Sequence, residues 1–275
     1  SGENDLGLIY AETAASVAGV FTRNLVQAAP VLLDRQRIAA GRCRALIVNS
    51  GNANCCTGEL GMQAAIRMAA AAADSLGGEA DDVLVASTGV IGEQLPVEKI
   101  EKAAPALVDA LENADVTNLA KAIMTTDTVP KFISRRGEVD GRAFHITGVA
   151  KGAGMIRPDM ATLLGFVCTD IKATPHQLRP CLQKAVDDSF NRITIDGDTR
   201  TNDTVLLLAN GMSGVTLKSP ESTAVFQKAL NDLLLELAIM IVKEGEGGTK
   251  LIEIGFQGAL SREDARRIAD TVAHS

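Results

Sequence analysis

A single α+β unit, with helices covering layered sheets of mixed pairing, is the fold class the sequence predicts, and three observations predict it. Short β-rich apolar runs alternate with helical stretches. An Asp-Gly pair, Asp140-Gly141, links two extended runs as a hairpin, because such a pair supplies the positive φ angles of a tight turn. No repeat, low-complexity tract or Pro/Ser linker divides the 275 residues, so one core is expected.

The β-rich runs are Leu6 to Ala11, Ala45 to Asn49, Val83 to Ser87, Phe144 to Val149, Leu163 to Thr169, Thr204 to Ala209 and Leu251 to Phe256. Ile133 to Val139 and Arg142 to Thr147 form the arms of the hairpin. Between these, Met62 to Leu76 is Ala-rich and strongly helix-forming, and Val97 to Leu111 has apolar residues at helical spacing. Thr174-Pro175 opens a third helix with a cap and a first-turn proline. Ser219-Pro220-Glu221 repeats that opening for a long helix ending near Lys243. The longest apolar run, Leu233 to Val242, is interrupted by Glu236 and falls far short of the ~20 residues that cross a bilayer, so it reads as a buried helix.

Composition narrows the chemistry. A formal charge of -7, from 34 acidic against 27 basic residues with no basic tract, argues against nucleic acid or an anionic membrane as partner and leaves small molecules. The chain opens on polar Ser1-Gly2-Glu3-Asn4-Asp5 rather than a charged-then-apolar leader, so a cytoplasmic location is expected. Five cysteines (Cys43, Cys55, Cys56, Cys168 and Cys181) suggest neither a disulfide framework nor a zinc site. Cys55 and Cys56 are vicinal, lack zinc-ligand spacing and read as small buried residues. Three histidines (His145, His176, His274), none beside a Ser or Cys nucleophile, leave little material for a His-dependent triad. Any nucleophile here needs another base, and no metal or other cofactor is expected.

One irregular stretch, Gly148 to Ala161, stands out before Thr162 and the apolar run Leu163-Leu164-Gly165-Phe166-Val167. Its glycines permit tight backbone conformations, and Pro158 restricts what precedes the threonine. A hydroxyl at the point where such a loop enters a buried strand can attack the preceding carbonyl, that of Ala161. Hydrolysis of the resulting ester would leave a chain starting at Thr162. Its α-amine, of ordinary pKa about 7.7 to 8.0, can serve as base for its own hydroxyl. On its own, a threonine heading a strand is far better explained by the fit of β-branched residues to strands.

Lys151-Gly152-Ala153-Gly154-Met155-Ile156 followed by Pro158-Asp159-Met160-Ala161-Thr162-Leu163-Leu164 resembles the processing signature of the ornithine acetyltransferase family, also called glutamate N-acetyltransferases. Further blocks agree in family order: Asn49-Ser50-Gly51-Asn52-Ala53-Asn54, Ser87-Thr88-Gly89-Val90-Ile91-Gly92, Met124-Thr125-Thr126-Asp127-Thr128 and Gly245-Glu246-Gly247-Gly248-Thr249-Lys250. The resemblance spans nearly the whole chain and implies an α-β-β-α sandwich of the self-processing, N-terminal-threonine type.

The resemblance further implies cleavage between Ala161 and Thr162, giving a chain of residues 1–161 and a second beginning at 162. Relatives of this family continue beyond Ser275, so 162–275 corresponds to the first part of that second chain. Thr162 is implied as nucleophile, with Thr88 and Gly89 as the oxyanion hole. Thr128, Lys151, Thr162 and Glu246 are implied as substrate contacts, the two charges suiting a zwitterionic amino acid. Asn52 and Asn54 read more simply as turn-building residues.

The implied reaction, in arginine biosynthesis, is ping-pong transfer of acetyl from N-acetyl-L-ornithine to Thr162 and then to L-glutamate. Some family members also accept acetyl-CoA, and members assemble from two copies of each cleaved chain. Two other readings stay open from the residues: an N-terminal-threonine amidohydrolase or aminopeptidase, and a non-catalytic amino-acid-binding relative that never cuts itself.

Overall fold

The computed structural model describes residues 4–113, 115–156 and 163–275. Its strands are β1 (Leu6–Phe21), β2 (Arg42–Asn49), β3 (Val83–Ser87), β4 (Lys131–Val139), β5 (Arg142–Lys151), β6 (Leu164–Thr169) and β7 (Thr204–Ala209). The helices are α1 (Ala29–Arg37), α2 (Gly58–Leu76), α3 (Val97–Asp109), α4 (Val116–Ala122), α5 (Pro175–Asp187), α6 (Pro220–Lys243) and α7 (Arg262–Ala273). The strands hydrogen-bond in the order β3-β2-β1-β7-β6-β5-β4.

Pairing is mixed. β2 with β3 and β6 with β7 are parallel, and the remaining neighbours are antiparallel. Each parallel pair is joined through a helix, α2 or α5, as a parallel connection requires. β1 bridges two wings: Leu6–Tyr10 and, after a register break, Ala15 and Ser16 pair with β2, while Ser16–Phe21 pairs with β7. A break of that kind bends a strand.

Among the described residues, three buried apolar clusters fill the spaces between layers. One packs Phe144, Ile146, Val167 and Leu207 against Leu178 and Leu182 of α5 and Leu230, Leu234 and Ile241 of α6. A second packs Ile47 and Val85 against Ala65 and Met68 of α2 and Ile100 of α3. The third lies between the wings and uses the alternate residues: Leu46, Val48, Leu84 and Ala86 with Val149, Phe166, Leu206 and Leu208. The layers therefore run helix, sheet, sheet, helix, as expected. Strands buried on both faces, such as Val83–Ser87 and Thr204–Ala209, appear in sequence as unbroken apolar runs rather than alternations.

Local chemistry explains the boundaries. Asp140 and Gly141 take φ of +50° and +75°, the type I′ turn the hairpin needs. Thr174 and Ser219 each form a capping box at the head of α5 and α6, with proline in the first turn. Leu233–Val242 lies in α6, where Leu233, Leu234, Leu237, Ala238 and Ile241 are buried.

Leu251 to Phe256 is not a strand: the segment is irregular, and Ile252 is 77% exposed. Among the described residues no neighbouring strand supplies hydrogen bonds there, and β propensity without a partner makes no strand. Helices α1, α4 and α7 were not expected; each is short, and α7 buries none of its residues. Among the described residues no helix is long and apolar enough to cross a membrane.

Candidate active site

The site forms where β2 and β3 end side by side, Asn49 opposite Ser87. The turns that follow are laced together. Thr88 N–H donates to the Asn49 carbonyl at 3.0 Å, Val90 N–H to Gly51 at 3.1 Å, and Ala53 N–H to Val90 at 2.9 Å. The Ser87 hydroxyl donates to Asn49 Oδ1 at 2.6 Å, and Asn49 Nδ2 to the Asn52 carbonyl at 2.9 Å. Gly89 runs at φ +132°, and a Cβ there would come within 2.2 Å of the Gly51 carbonyl carbon. Only glycine permits that approach of one backbone to another. Asn54 and Cys56 take φ of +47° and +57°, so the turn-building role holds for Asn54. Cys55 is buried as expected, but Cys56, at the left-handed turn position that follows, is exposed.

Lys151, the last residue of β5, brings a cation into this corner. It is 3% exposed, and its Nζ donates to Thr88 Oγ1 at 3.2 Å and Thr125 Oγ1 at 2.7 Å. Asp127 lies behind it, with Oδ2 at 3.8 Å from the ammonium. Asp127 Oδ1 accepts from Lys131 Nζ and from Gly152 N–H, both at 2.8 Å. Burial pushes the Lys151 pKa down to about 8 against the opposing pull of Asp127. At Asp127 burial works upward, but Lys151, Lys131 and the Gly152 N–H outweigh it and hold the carboxyl below its ordinary value.

From the other wing, β5, β6 and β7 present their ends to the same place. Lys151 pairs with Leu164, and Leu164 with Thr204. Thr88, Lys151, Leu163, Leu164, Arg200, Asn202 and Asp203 line one small cleft. Asn202 Nδ2 donates to the carbonyls of Ala53 and Ser87 at 2.5 and 2.9 Å, tying the second wing to both turns. Asp203 Oδ1 accepts from Leu163 N–H at 2.8 Å. The wider surface depression lined by Arg135, Arg136, Val225 and Lys228 between β4 and α6 gathers no comparable convergence of buried polar groups.

Of the residues singled out from sequence, Thr88, Gly89 and Lys151 thus come together. Ala161 and Thr162 lie outside the described residues, but Leu163, the next residue in the chain, is in the cleft. Glu246 is exposed, and its N–H donates to the Ala153 carbonyl at 2.7 Å, with its carboxylate packed against Gly154. Thr128 donates its hydroxyl to Glu244, two residues before Glu246. The segment after α6 therefore meets the loop after β5 and the turn before β4. Sequence reasoning missed Thr125, Asp127, Lys131, Asn202 and Asp203. The first two stand in a block quoted for its resemblance, and buried charge pairing distinguishes them only in three dimensions.

The ArgJ family model matches residues 1–275. A relative from Geobacter sulfurreducens, an arginine biosynthesis bifunctional protein ArgJ, is 49% identical over 276 residues, covering 100% of this chain and 70% of that protein. The chain belongs to the ArgJ family. The ArgJ protein of Syntrophotalea carbinolica is 51% identical over 281 residues, again covering 100% of this chain and 70% of the relative. The crystal structure of ArgJ from Bacillus halodurans, 42% identical, superposes with a TM-score of 0.52 over 57% of this chain and 83% of that one. A Burkholderia β-aminopeptidase, 13% identical, superposes with a TM-score of 0.51 over 87% of this chain and 79% of that one. At that identity it speaks to the shared fold alone. ArgJ membership and the layered α+β fold agree with the expectations from sequence.

Proposed function

We propose that this ArgJ family member is an acyltransferase of arginine biosynthesis that moves acetyl from N-acetyl-L-ornithine to L-glutamate through an ester on Thr162, after cutting itself between Ala161 and Thr162. The observation that supports the reading most directly is the shared cleft. A buried hydroxyl (Thr88), a buried ammonium (Lys151) and the residue bonded to Thr162 (Leu163) line it together.

In this reading the freed α-amine of Thr162 takes the hydroxyl proton, and Oγ1 attacks the acetyl carbonyl. The Thr88 hydroxyl and the Gly89 N–H hold the oxygen as it becomes negative. Donors aimed at developing charge act in the transition state, and losing one typically costs about 10² to 10³ in rate. Collapse passes that proton from the α-ammonium to the leaving nitrogen and expels ornithine; the amine of glutamate then attacks the ester, and its released proton returns through the α-amine to Thr162 Oγ1. Lys151, Thr128 and Glu246 contact the amino-acid portions of donor and acceptor. An amide becomes an ester and then an amide of similar stability, so the cycle balances without nucleotide or metal. Acetyl-CoA as an alternative donor would enter at the acylation step. Two copies of each cleaved chain make up the assembly.

Incubation with N-acetylornithine, with and without glutamate, tests this. N-acetylglutamate and ornithine should form in equal amounts when both are present, and Thr162→Ala should form neither. Free acetate at equal rates in both tubes would instead identify an amidohydrolase.

A further inference from the structure

The Thr88 hydroxyl can act as an oxyanion donor only if its proton points into the cleft. A hydroxyl offers one proton and two lone pairs, whereas an ammonium only donates. The 3.2 Å contact from Lys151 Nζ therefore occupies a lone pair of Thr88 and leaves its proton for another acceptor. An ammonium on a flexible four-carbon stem has no direction of its own, so something must aim it.

Asp127 is built to do so. Its side chain is 1% exposed, and its two oxygens reach four groups. Oδ1 accepts from Lys131 Nζ and from the N–H of Gly152, the residue after Lys151. Oδ2 accepts from Thr125 N–H at 3.3 Å and lies 3.8 Å from Lys151 Nζ. One carboxylate thus fixes the backbone beside Lys151, the residue carrying its second acceptor, and the ammonium itself. Lys131, with a fully buried side chain on β4, holds the carboxylate from behind.

We propose that Asp127, held by Lys131, is a positioning residue for acyl transfer: it fixes the Lys151 ammonium against Thr88 so that the Thr88 proton is presented to the developing oxyanion. This role rests on Thr88 being the oxyanion donor. The charged groups facing Lys151 are Asp127, Arg200, Lys131 and Asp203. Removing the Asp127 charge should lower the lysine's proton affinity, and removing the Lys131 charge should raise it. A general loosening of the framework would not move the two variants in opposite directions.

The test uses the full chain with N-acetylornithine and glutamate and follows kcat and KM against pH in Asp127→Asn, Lys131→Met, Thr88→Ala and the Thr88→Ala/Asp127→Asn double variant. Asp127→Asn should lower kcat about tenfold or more. The optimum of its pH profile should move down, because losing an opposite charge at this range lowers the lysine's proton affinity. Lys131→Met should move the optimum up. On the Thr88→Ala background the same Asp127→Asn change should cost less than about twofold, because residues acting through one another are not additive. Equal costs in both backgrounds, or optima that move in the same direction, would overturn the assignment. If Lys131→Met does not fold, the direction in which the Asp127→Asn optimum moves and the double-variant comparison still decide. Full activity in Thr88→Ala would instead remove the oxyanion reading itself.

Discussion

At Gly89 the chain passes so close to Gly51 and Asn52 that a methyl group would lie 2.2 to 2.5 Å from their backbone atoms, at a φ of +132° that L side chains rarely adopt. Backbone, unlike a side-chain tip, cannot swing aside. Gly89→Ala should therefore cost at least the about 1–3 kcal/mol of a strained backbone position and displace Thr88 with it. Thermal denaturation and kcat measured together check this, and an unaltered melting temperature with unaltered kcat would contradict the packing described. Lys151 makes a second case. It acts as a cation, and burial leaves its pKa at about 8. The α-amine base of Thr162 must be deprotonated, with an ordinary pKa of about 7.7 to 8.0. Activity should rise with pH as that amine loses its proton and fall as Lys151 does, giving a narrow bell around pH 8. A rate still climbing well above pH 9 would show that the lysine charge is not needed.

Among the elements, α1 does a task that no periodicity announces. It lies beside the edge strand β3 and treats it as a neighbouring strand would. Asp34 Oδ1 accepts from Val85 N–H at 2.9 Å, and the Arg37 guanidinium donates to the Val83 carbonyl. An open strand edge invites pairing with another chain, and covering it removes that hazard. Asp34 is 0% exposed, its Oδ2 has no hydrogen-bond partner among the described residues, and burial raises its pKa well above the ordinary value, against the Val85 N–H and Arg37. The folded state thus holds this proton more tightly than the unfolded one. Its contribution is fully present below the ordinary carboxyl pKa and is lost as pH rises through the raised value. Asp34→Asn, which keeps the acceptor for Val85 but cannot ionise, should gain stability relative to the wild type as pH rises. Parallel melting curves against pH would refute this. Legibility in sequence follows the same division. Helices α5 and α6 announce themselves through Thr174-Pro175 and Ser219-Pro220, because their ends are built from local hydrogen bonds. Strands β3 and β7 do so because burial on both faces forces unbroken apolar runs. By contrast α1 owes its place to bonds across some fifty positions of sequence, as from Asp34 to Val85. The site divides likewise. Thr88, Gly89 and Lys151 stand in contiguous motifs, whereas pairing among Asp127, Lys131 and Lys151 exists only once β4 and β5 meet.

For the molecule as a whole, the order of strands decides what self-cleavage would do. Residues 1–161 supply β1 to β5 and residues 162–275 supply β6 and β7, yet β6 and β7 sit inside the sheet, between β5 and β1. The second segment borders the first along two ladders, β5 with β6 and β1 with β7, each of six residue pairs. Helices α5 and α6 also pack onto strands of both segments, since Phe144, Ile146, Val167 and Leu207 share one apolar cluster with them. Cutting at Ala161-Thr162 would remove one covalent bond and leave these hydrogen bonds and this buried surface in place. The preparation should therefore run as one species under native conditions. Under denaturing conditions it should resolve into two chains whose intact masses sum to the 28.8 kDa of the uncut chain plus one water, the second beginning at Thr162. Thr162→Ala should give the uncut chain in both. The halves expressed separately should not fold alone, because each would leave buried strand edges of the other's ladder unpaired. Native dissociation of the wild-type halves would contradict the interleaving, and a single wild-type chain under denaturing conditions would contradict the cleavage.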